Sequence, residues 1–596
     1  MESTLTEKSS ALAESQARLE KLIQLGIAMS AERDSAKLME MILLGAKDLA
    51  NADGGTLYMR TDDDQLVFQI IRNDTLGIAL GGTIAAPPNL PSVPMYRPNT
   101  GEANHNNVVS HAVHEQTTVN IPDAYASKDF DFSGTRAFDS INQYRSTSFL
   151  TVPLKPRGGD VIGALQLINA RGAQPGEIIP FSDDIQRFVE ALAAQAATAM
   201  YNRSLLDAQE KLMDALIQII AGAIDAKSPY TGGHCERVPE LAMMLARAAC
   251  EENNGPLAKF QFSSEEEWRE FRIGAWLHDC GKVTMPEYVV DKATKLETIY
   301  NRVHEVRTRF EVLLRDAEIE RLNRLLNGEA PAEAQAAFEA RKAQLHDDFT
   351  FLAECNVGGE FMAPELVERV KKISGTTWTR HFSDRLGLGH EELRRFGNAP
   401  EPPLPVVETL LSDKPEHIIF RSENENVYDE RYKFRIRVPP YRFNFGEVYN
   451  LSISRGTLTD EERYKINEHI IQTVIMLEKM PFPKNMRRIP EYACTHHETM
   501  IGTGYPRKLS KEDMSIPARI MAIADIFEAL TASDRPYKKA KPLSEAIRIL
   551  SFFKKDQHID SDLFDLFLKN GIYADYAKKY LKPEQIDEVD ITKYLG

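Results

Sequence analysis

The stretch Ala275-Trp276-Leu277-His278-Asp279-Cys280-Gly281-Lys282 sets one imidazole and one carboxylate side by side in the chain. A carboxylate can bridge two cations with its two oxygens while the neighbouring imidazole ligates one of them. The pair therefore suits two ions lying close together. Lys282 follows one helical turn after His278 on the same face, where an ammonium neutralises phosphate charge that grows in a transition state.

Four further segments supply histidine or acidic residues. Thr231-Gly232-Gly233-His234-Cys235-Glu236-Arg237-Val238 opens a predicted helix; Leu458-Thr459-Asp460-Glu461-Glu462 leads to His469; Thr495-His496-His497-Glu498 and Ala522-Ile523-Ala524-Asp525 follow. With His278 and Asp279 they supply five histidines and two aspartates, all N/O ligands without a thiolate. Such a set suits iron, manganese or another first-row ion and excludes a soft-ligand site. Two ions of this kind acidify water and polarise a phosphoryl group, as phosphoester hydrolysis requires. A lone buried histidine is more often structural, but seven candidates in matching motifs reverse that reading.

The chain has 596 residues, Lys+Arg 72 against Asp+Glu 88 and a formal charge of -16. That length corresponds to roughly three to four domain-sized units. Hydrophobic content of 43% and charged content of 27% exclude wholesale disorder. The start, Met1-Glu2-Ser3-Thr4-Leu5, has no basic region followed by an apolar one, and no apolar run reaches the ~18 residues of a membrane span. A cytoplasmic protein without membrane insertion is expected. The acidic balance argues against sequence-independent DNA binding, which needs a basic face. Five cysteines without a C-x-x-C pair argue against a disulfide framework and fit a reducing compartment.

Residues 16 to 50 carry helical periodicity, and the strand-like runs 55–59 and 66–71 flank Asp62-Asp63-Asp64 as a hairpin. A second pair, 148–154 and 161–169, is separated by Pro156-Arg157-Gly158-Gly159-Asp160. The region reads as an α+β unit with an antiparallel sheet flanked by helices. From Ser182 to about Ala226 two helical stretches follow, in which Leu205, Leu212 and Ile219 repeat every seven residues. This spacing suits a parallel homodimer seam, or a helix packed on its own domain.

The order of elements in residues 16 to 205 resembles a GAF domain, on Asn120-Ile121-Pro122-Asp123-Ala124-Tyr125, Tyr144 to Leu150, Asn169 and Phe181-Ser182-Asp183-Asp184. The resemblance implies a small-ligand sensor, with a cyclic nucleotide as one possible ligand, or a dimerisation module. His278-Asp279-Cys280-Gly281-Lys282, His496-His497-Glu498-Thr499-Met500-Ile501-Gly502-Thr503-Gly504-Tyr505-Pro506, Ile516-Pro517-Ala518-Arg519-Ile520 and Asp534-Arg535-Pro536-Tyr537-Lys538-Lys539 resemble an HD-GYP domain over residues 211 to 317 and 451 to 560. The resemblance implies hydrolysis of a cyclic dinucleotide, chiefly c-di-GMP to pGpG and GMP, at two divalent ions, iron or manganese. It makes His234, His278, Asp279, His469, His496, His497 and Asp525 metal ligands, with Asp279 and Lys282 catalytic and Lys282, Arg535 and Lys538 on phosphate. Gly502 and Gly504 can admit a loop backbone close to a ligand, while Tyr505 either stacks on a base or packs under the loop.

The expected organisation is a multidomain chain: an α+β GAF sensor over 16–182, a helical linker and dimer seam over 183–226, and an all-α HD-type phosphohydrolase domain in two parts, 227–317 and 451–596, around an α+β insertion or lid over 318–450. Ile501 stands where the family has Asp, which removes a loop hydrogen bond or charge; Glu528 replaces a second Asp and keeps its charge; Tyr230 replaces a third-metal Glu, so a binuclear site follows. His304 and His469 compete as middle ligand. His469 is preferred for the Leu-Thr-x-Glu-Glu before it. In the insertion, residues 305 to 350 read as a helical hairpin and Tyr432 to Phe443 as a two-faced strand, which either puts Arg435 and Arg437 toward a dinucleotide as part of a lid or presents a solvated charged face. A non-hydrolytic receptor and a cyclic GMP-AMP phosphodiesterase are the alternative functions.

Overall fold

The computed structural model describes residues 2–84, 86–227, 233–359, 361–423, 425–532 and 540–595. They fall into two compact units, Met1–Met213 and Asp214–Gly596.

In the first unit, turn chemistry and alternating apolar runs build one antiparallel sheet. Its strands are β1 (Ala52–Arg60), β2 (Gln65–Asn73), β3 (Ile78–Gly81), β4 (Val93–Pro94), β5 (Val119–Ile121), β6 (Phe149–Leu154), β7 (Gly163–Arg171) and β8 (Ile178–Ile179). Their order is β3-β2-β1-β7-β6-β5, with β4 on β2 and β8 on β7. The expected hairpin runs from Gly54 opposite Asn73 to Arg60 opposite Leu66, and Asp64 takes the positive φ its turn requires. Helices α1 (Glu2–Ala31), α2 (Ser35–Leu49), α3 (Val108–Glu115), α4 (Ser133–Asn142) and the part of α5 (Asp183–Lys227) up to Met213 complete the unit. Leu57, Ile70, Leu165 and Leu167 pack on Ile42 and Leu43 of α2 and Val189 and Leu192 of α5. Tyr58, Leu66, Phe149 and Ala164 turn to the opposite face, against Val108, Val109 and Val113 of α3. Apolar side chains of the central strands are thus covered on both faces of the sheet.

The two helical stretches expected after Ser182 form one helix, Asp183–Lys227. No proline interrupts that range, and the isolated Gly222 is tolerated within it.

Among the described residues, the second unit holds two large apolar cores. One gathers Val238, Leu245, Phe271, Ile520, Phe527, Ile547 and Phe564 from helices on either side of the midchain segment. The other gathers Leu296, Phe310, Leu345, Leu352, Val370, Leu410 and Leu451. The latter rests on a helical hairpin, Val303–Leu326 and Pro331–Val357, and adjoins two two-stranded sheets. Two buried lysines fix where the chain leaves and returns. Lys292 Nζ lies 2.8 Å from Glu462, and Lys295 Nζ donates to the carbonyls of Leu451 and Ile453 at 2.9 and 2.8 Å. The two-faced strand expected over 432–443 is a strand only at Tyr441–Asn444. Pro439 and Pro440 have no N–H to donate, so a ladder cannot continue back through them. Among the described residues no helix is long and apolar enough to cross a membrane, and all five cysteines are unpaired.

Candidate metal centre

Each expected ligand stands at or near the end of a helix, or inside one whose register points it inward. His234 is the first residue of the helix His234–Glu251, preceded by Gly233 at φ 81, whose N–H donates to Asp225 at 3.0 Å. His278 and Asp279 follow the helix Glu265–Leu277. His469 lies within Asp460–Glu478, a helix whose Thr459 and Glu462 form a capping box. His496 and His497 come just after Ile489–Cys494, and Asp525 sits within Ile516–Thr531. Gly281 lets the second and third of these segments meet. A Cβ there would lie 1.9 Å from the His469 carbonyl oxygen, and its N–H donates to Thr473 Oγ1 at 3.0 Å.

The side chains converge. His234 Nε2 is 3.3 Å from Asp279 and 3.4 Å from Asp525; His278 Nε2 is 3.3 Å from Asp279; His469 Nε2 is 3.4 Å from Asp279 and 3.2 Å from His497 Nε2. Ligand atoms of His469, His496 and His497 lie within 4.8 Å of one another, as do those of His234, His278 and Asp525, and those of His278, Asp279 and His496. Asp279 belongs to the neighbourhood of both ends. His304 is exposed on its helix and bonded to Arg307.

The tautomers follow from the outer contacts. Nδ1 of His278, His469 and His496 donates to the carbonyl oxygens of Ala275, Ile466 and Ala493 at 2.7, 2.5 and 2.9 Å. Their Nε2 lone pairs are left facing inward. The Nε2 atoms of His234, His278 and His496 are buried without a hydrogen-bond partner. Buried polar atoms are normally satisfied, so these orphans fit a cation. Burial pushes His496 down to about 4, pushes His497 well below its usual range and lowers His469, which keeps these rings in the neutral form that ligates. Against the effect of burial, Lys282 and His278 hold Asp279 well below the usual carboxylate range, and His234 with the other imidazoles does the same for Asp525. His234 is raised despite its burial, by Glu528 and then Asp279 and Asp525. That surplus of carboxylate suits a divalent ion. Lys282 Nζ is 2.6 Å from Asp279 Oδ2 and is held charged against burial by Asp279 and Asp525.

Glu528 has a larger part than its sequence reading gave it. One oxygen contacts His234 Nδ1 and the other accepts from Arg237 Nε at 2.7 Å. It replaces the backbone carbonyl that the other rings use. Glu498 was also missed: it accepts from the N–H groups of Arg507 and Leu509 at 2.7 and 2.9 Å. Together with Thr499 Oγ1, which accepts from Thr503 N–H at 2.9 Å, it orders the Gly-Tyr-Pro loop although Ile501 is exposed and contributes no charge. Gly502 takes φ 72, and a Cβ on Gly504 would lie 2.5 Å from Glu498 Cα. Tyr505 stacks on His497 at a centroid distance of 4.8 Å. The midchain segment reaches the same loop: Arg435 N–H donates to the Pro506 carbonyl at 2.7 Å, and Arg507 Nε to that of Tyr432 at 2.9 Å. The side chains of Arg435 and Arg437 are exposed. Arg535, Lys538 and Tyr230 lie outside the described residues.

The GAF domain family model matches residues 34–200, and the HD domain family model matches residues 405–563. The chain thus carries a GAF domain followed by an HD domain. Among curated relatives it is 36% identical over 116 residues to 3'3'-cGAMP-specific phosphodiesterase 1 of Vibrio cholerae, covering 20% of this chain and 26% of that one. It is 37% identical over 119 residues to a cyclic di-GMP phosphodiesterase of Pseudomonas aeruginosa, covering 20% and 28%, and 41% identical over 93 residues to a cyclic di-GMP phosphodiesterase of Thermotoga maritima, covering 16% and 25%. The matched segments span about a quarter of these relatives.

Proposed function

We propose that the chain is a cytoplasmic, metal-dependent phosphodiesterase that hydrolyses a cyclic dinucleotide, c-di-GMP to pGpG or GMP in the first instance, under control of its GAF domain. The observation that carries this reading is the convergence of His234, His278, Asp279, His469, His496, His497 and Asp525 around orphaned, inward-facing Nε2 atoms. His234, His278 and Asp525 would hold one ion and His469, His496 and His497 a second, with Asp279 shared. Iron or manganese suits these imidazole and carboxylate donors, and a pair of such ions acidifies water and polarises a phosphodiester.

The chain's own residues do the rest. The carbonyl-bonded imidazoles hold their tautomers fixed, so no ring must turn to accept an ion. Lys282, beside Asp279, keeps an ammonium at the place where phosphoryl charge grows. Gly502 and Gly504 allow a close approach of the loop, Tyr505 backs His497, and the family resemblance assigns further phosphate contacts to Arg535 and Lys538. The relatives' names put both c-di-GMP and 3'3'-cGAMP on the list of substrates to try. The test incubates manganese- or iron-loaded protein with c-di-GMP, 3'3'-cGAMP and c-di-AMP and resolves the products. Linear dinucleotide or mononucleotide from a guanine-containing substrate is expected. Tight binding without any product would make the protein a receptor instead.

A further inference from the structure

Only three of the 14 histidines lie in the first unit, and all fall between residues 105 and 114. We propose that His105, His111 and Glu115 form a second metal site, on the GAF domain, for a divalent ion of the zinc class.

His111 and Glu115 are one turn apart on α3, whose other side is buried through Val108, Val109, Ala112 and Val113. His105 approaches from the segment that leads into this helix. Its Nδ1 is 3.2 Å from His111 Nδ1 and 3.7 Å from Glu115 Oε1. A tetrahedral ion with Zn–N of about 2.05 Å separates its ligand atoms by about 3.3 Å, so the two ring nitrogens already stand at the spacing of neighbouring ligands. Glu115 is exposed, and the site requires its carboxylate to turn toward the pair, which leaves a position for water.

The backbone under the cluster is fixed. Asn107 caps α3, accepting from Val109 and Ser110 N–H at 3.0 and 3.2 Å; Asn106 accepts from Asp131 N–H at 2.8 Å through its carbonyl and from Arg97 at 3.0 Å through its side chain. Other rings flank the pair. His114 is engaged with the Met95 carbonyl at 2.7 Å and lies 5.4 Å from the His105 ring, while Phe130 lies 5.1 Å from that of His111. His114 is therefore a wall rather than a ligand. Two imidazoles and one carboxylate, without sulfur, form a donor set for zinc, copper or nickel. Bound there, an ion ties the chain before α3 to the helix itself and stabilises the domain by mass action.

The test uses the full chain, stripped of metal, dialysed against zinc and measured for zinc per chain. The His105→Ala/His111→Ala variant is expected to hold one ion fewer than the parent. A chain carrying Asp279→Ala and His496→Ala is expected to keep a zinc-dependent rise in the melting temperature of the GAF transition. Glu115→Gln, a surface change that leaves the fold alone, is expected to lower the affinity of that ion. Equal zinc content in the parent and His105→Ala/His111→Ala, or none in the Asp279→Ala/His496→Ala chain, would overturn the proposal and leave the two rings as a hydrogen-bonded pair. Neither result bears on the phosphodiesterase reading.

Discussion

Glu528 uses both carboxylate oxygens inside the protein, on His234 Nδ1 and on Arg237, and the pair holds it at about 2 against the effect of burial. Carboxylates that orient a ligand imidazole typically contribute 10–100-fold to metal affinity. Glu528→Ala is accordingly expected to weaken metal binding by roughly that factor in equilibrium dialysis, with partial recovery in Glu528→Asp. This role was not legible in the sequence, because Glu528 and His234 are 294 residues apart. What was legible was the candidate ligand set, since adjacent His-Asp and His-His pairs are uncommon and chemically specific. The choice between His469 and His304 can be settled by content alone: His469→Ala is expected to lose bound metal and His304→Ala to retain it, as measured by elemental analysis. In the GAF domain, Asp53 is buried and accepts from Thr75 at 2.7 Å, with Tyr144 and Arg171 also on its carboxylate; against burial these contacts lower its proton affinity. A depressed folded value means a stabilisation that is present above the unfolded value of 3.8 and is lost as pH falls through the folded one. Asp53→Asn is expected to cost about 1–3 kcal/mol at pH 7, with the gap to the parent closing below that unfolded value in thermal melts.

At the scale of elements, the contact between the turn after His278 and the helix of His469 has no room for a side chain at residue 281. Gly281→Ala must push the two apart, and forced overpacking of this kind costs about 1–3 kcal/mol. Thermal unfolding should show that loss together with weaker metal binding, because His278, Asp279 and His469 move with the elements. A variant that melts and binds like the parent would mean that the turn yields freely. The hairpins and helices were readable from period and turn residues, and the break at Asn327-Gly328 does separate two antiparallel helices. Residues 432–440 misled because Lys433, Phe434, Arg435, Ile436 and Arg437 alternate as a strand does while the following prolines withhold the donors a ladder needs. Alternation reports two faces, not hydrogen-bonded partners.

At the scale of the whole molecule, the helix Asp183–Lys227 leaves Leu205, Leu212 and Ile219 exposed at 49, 61 and 65%. Their heptad spacing suits pairing with a second copy, through which a GAF ligand would act by favouring one arrangement of the pair. Leu212→Glu with Ile219→Glu is expected to weaken a homodimer in sedimentation and to remove any dependence of turnover on the GAF domain. A normal dimer with unchanged regulation would assign the stripe another role. The central claim concerns the cluster around Asp279, and one titration tests it most directly: manganese or iron is added to the metal-free chain while bound metal and release of linear product from c-di-GMP are followed together. The account predicts that hydrolysis rises with occupancy of two ions per chain and that Asp279→Ala loses ions and hydrolysis together. Hydrolysis that proceeds without bound metal, or an Asp279→Ala chain with full occupancy and normal turnover, would contradict it.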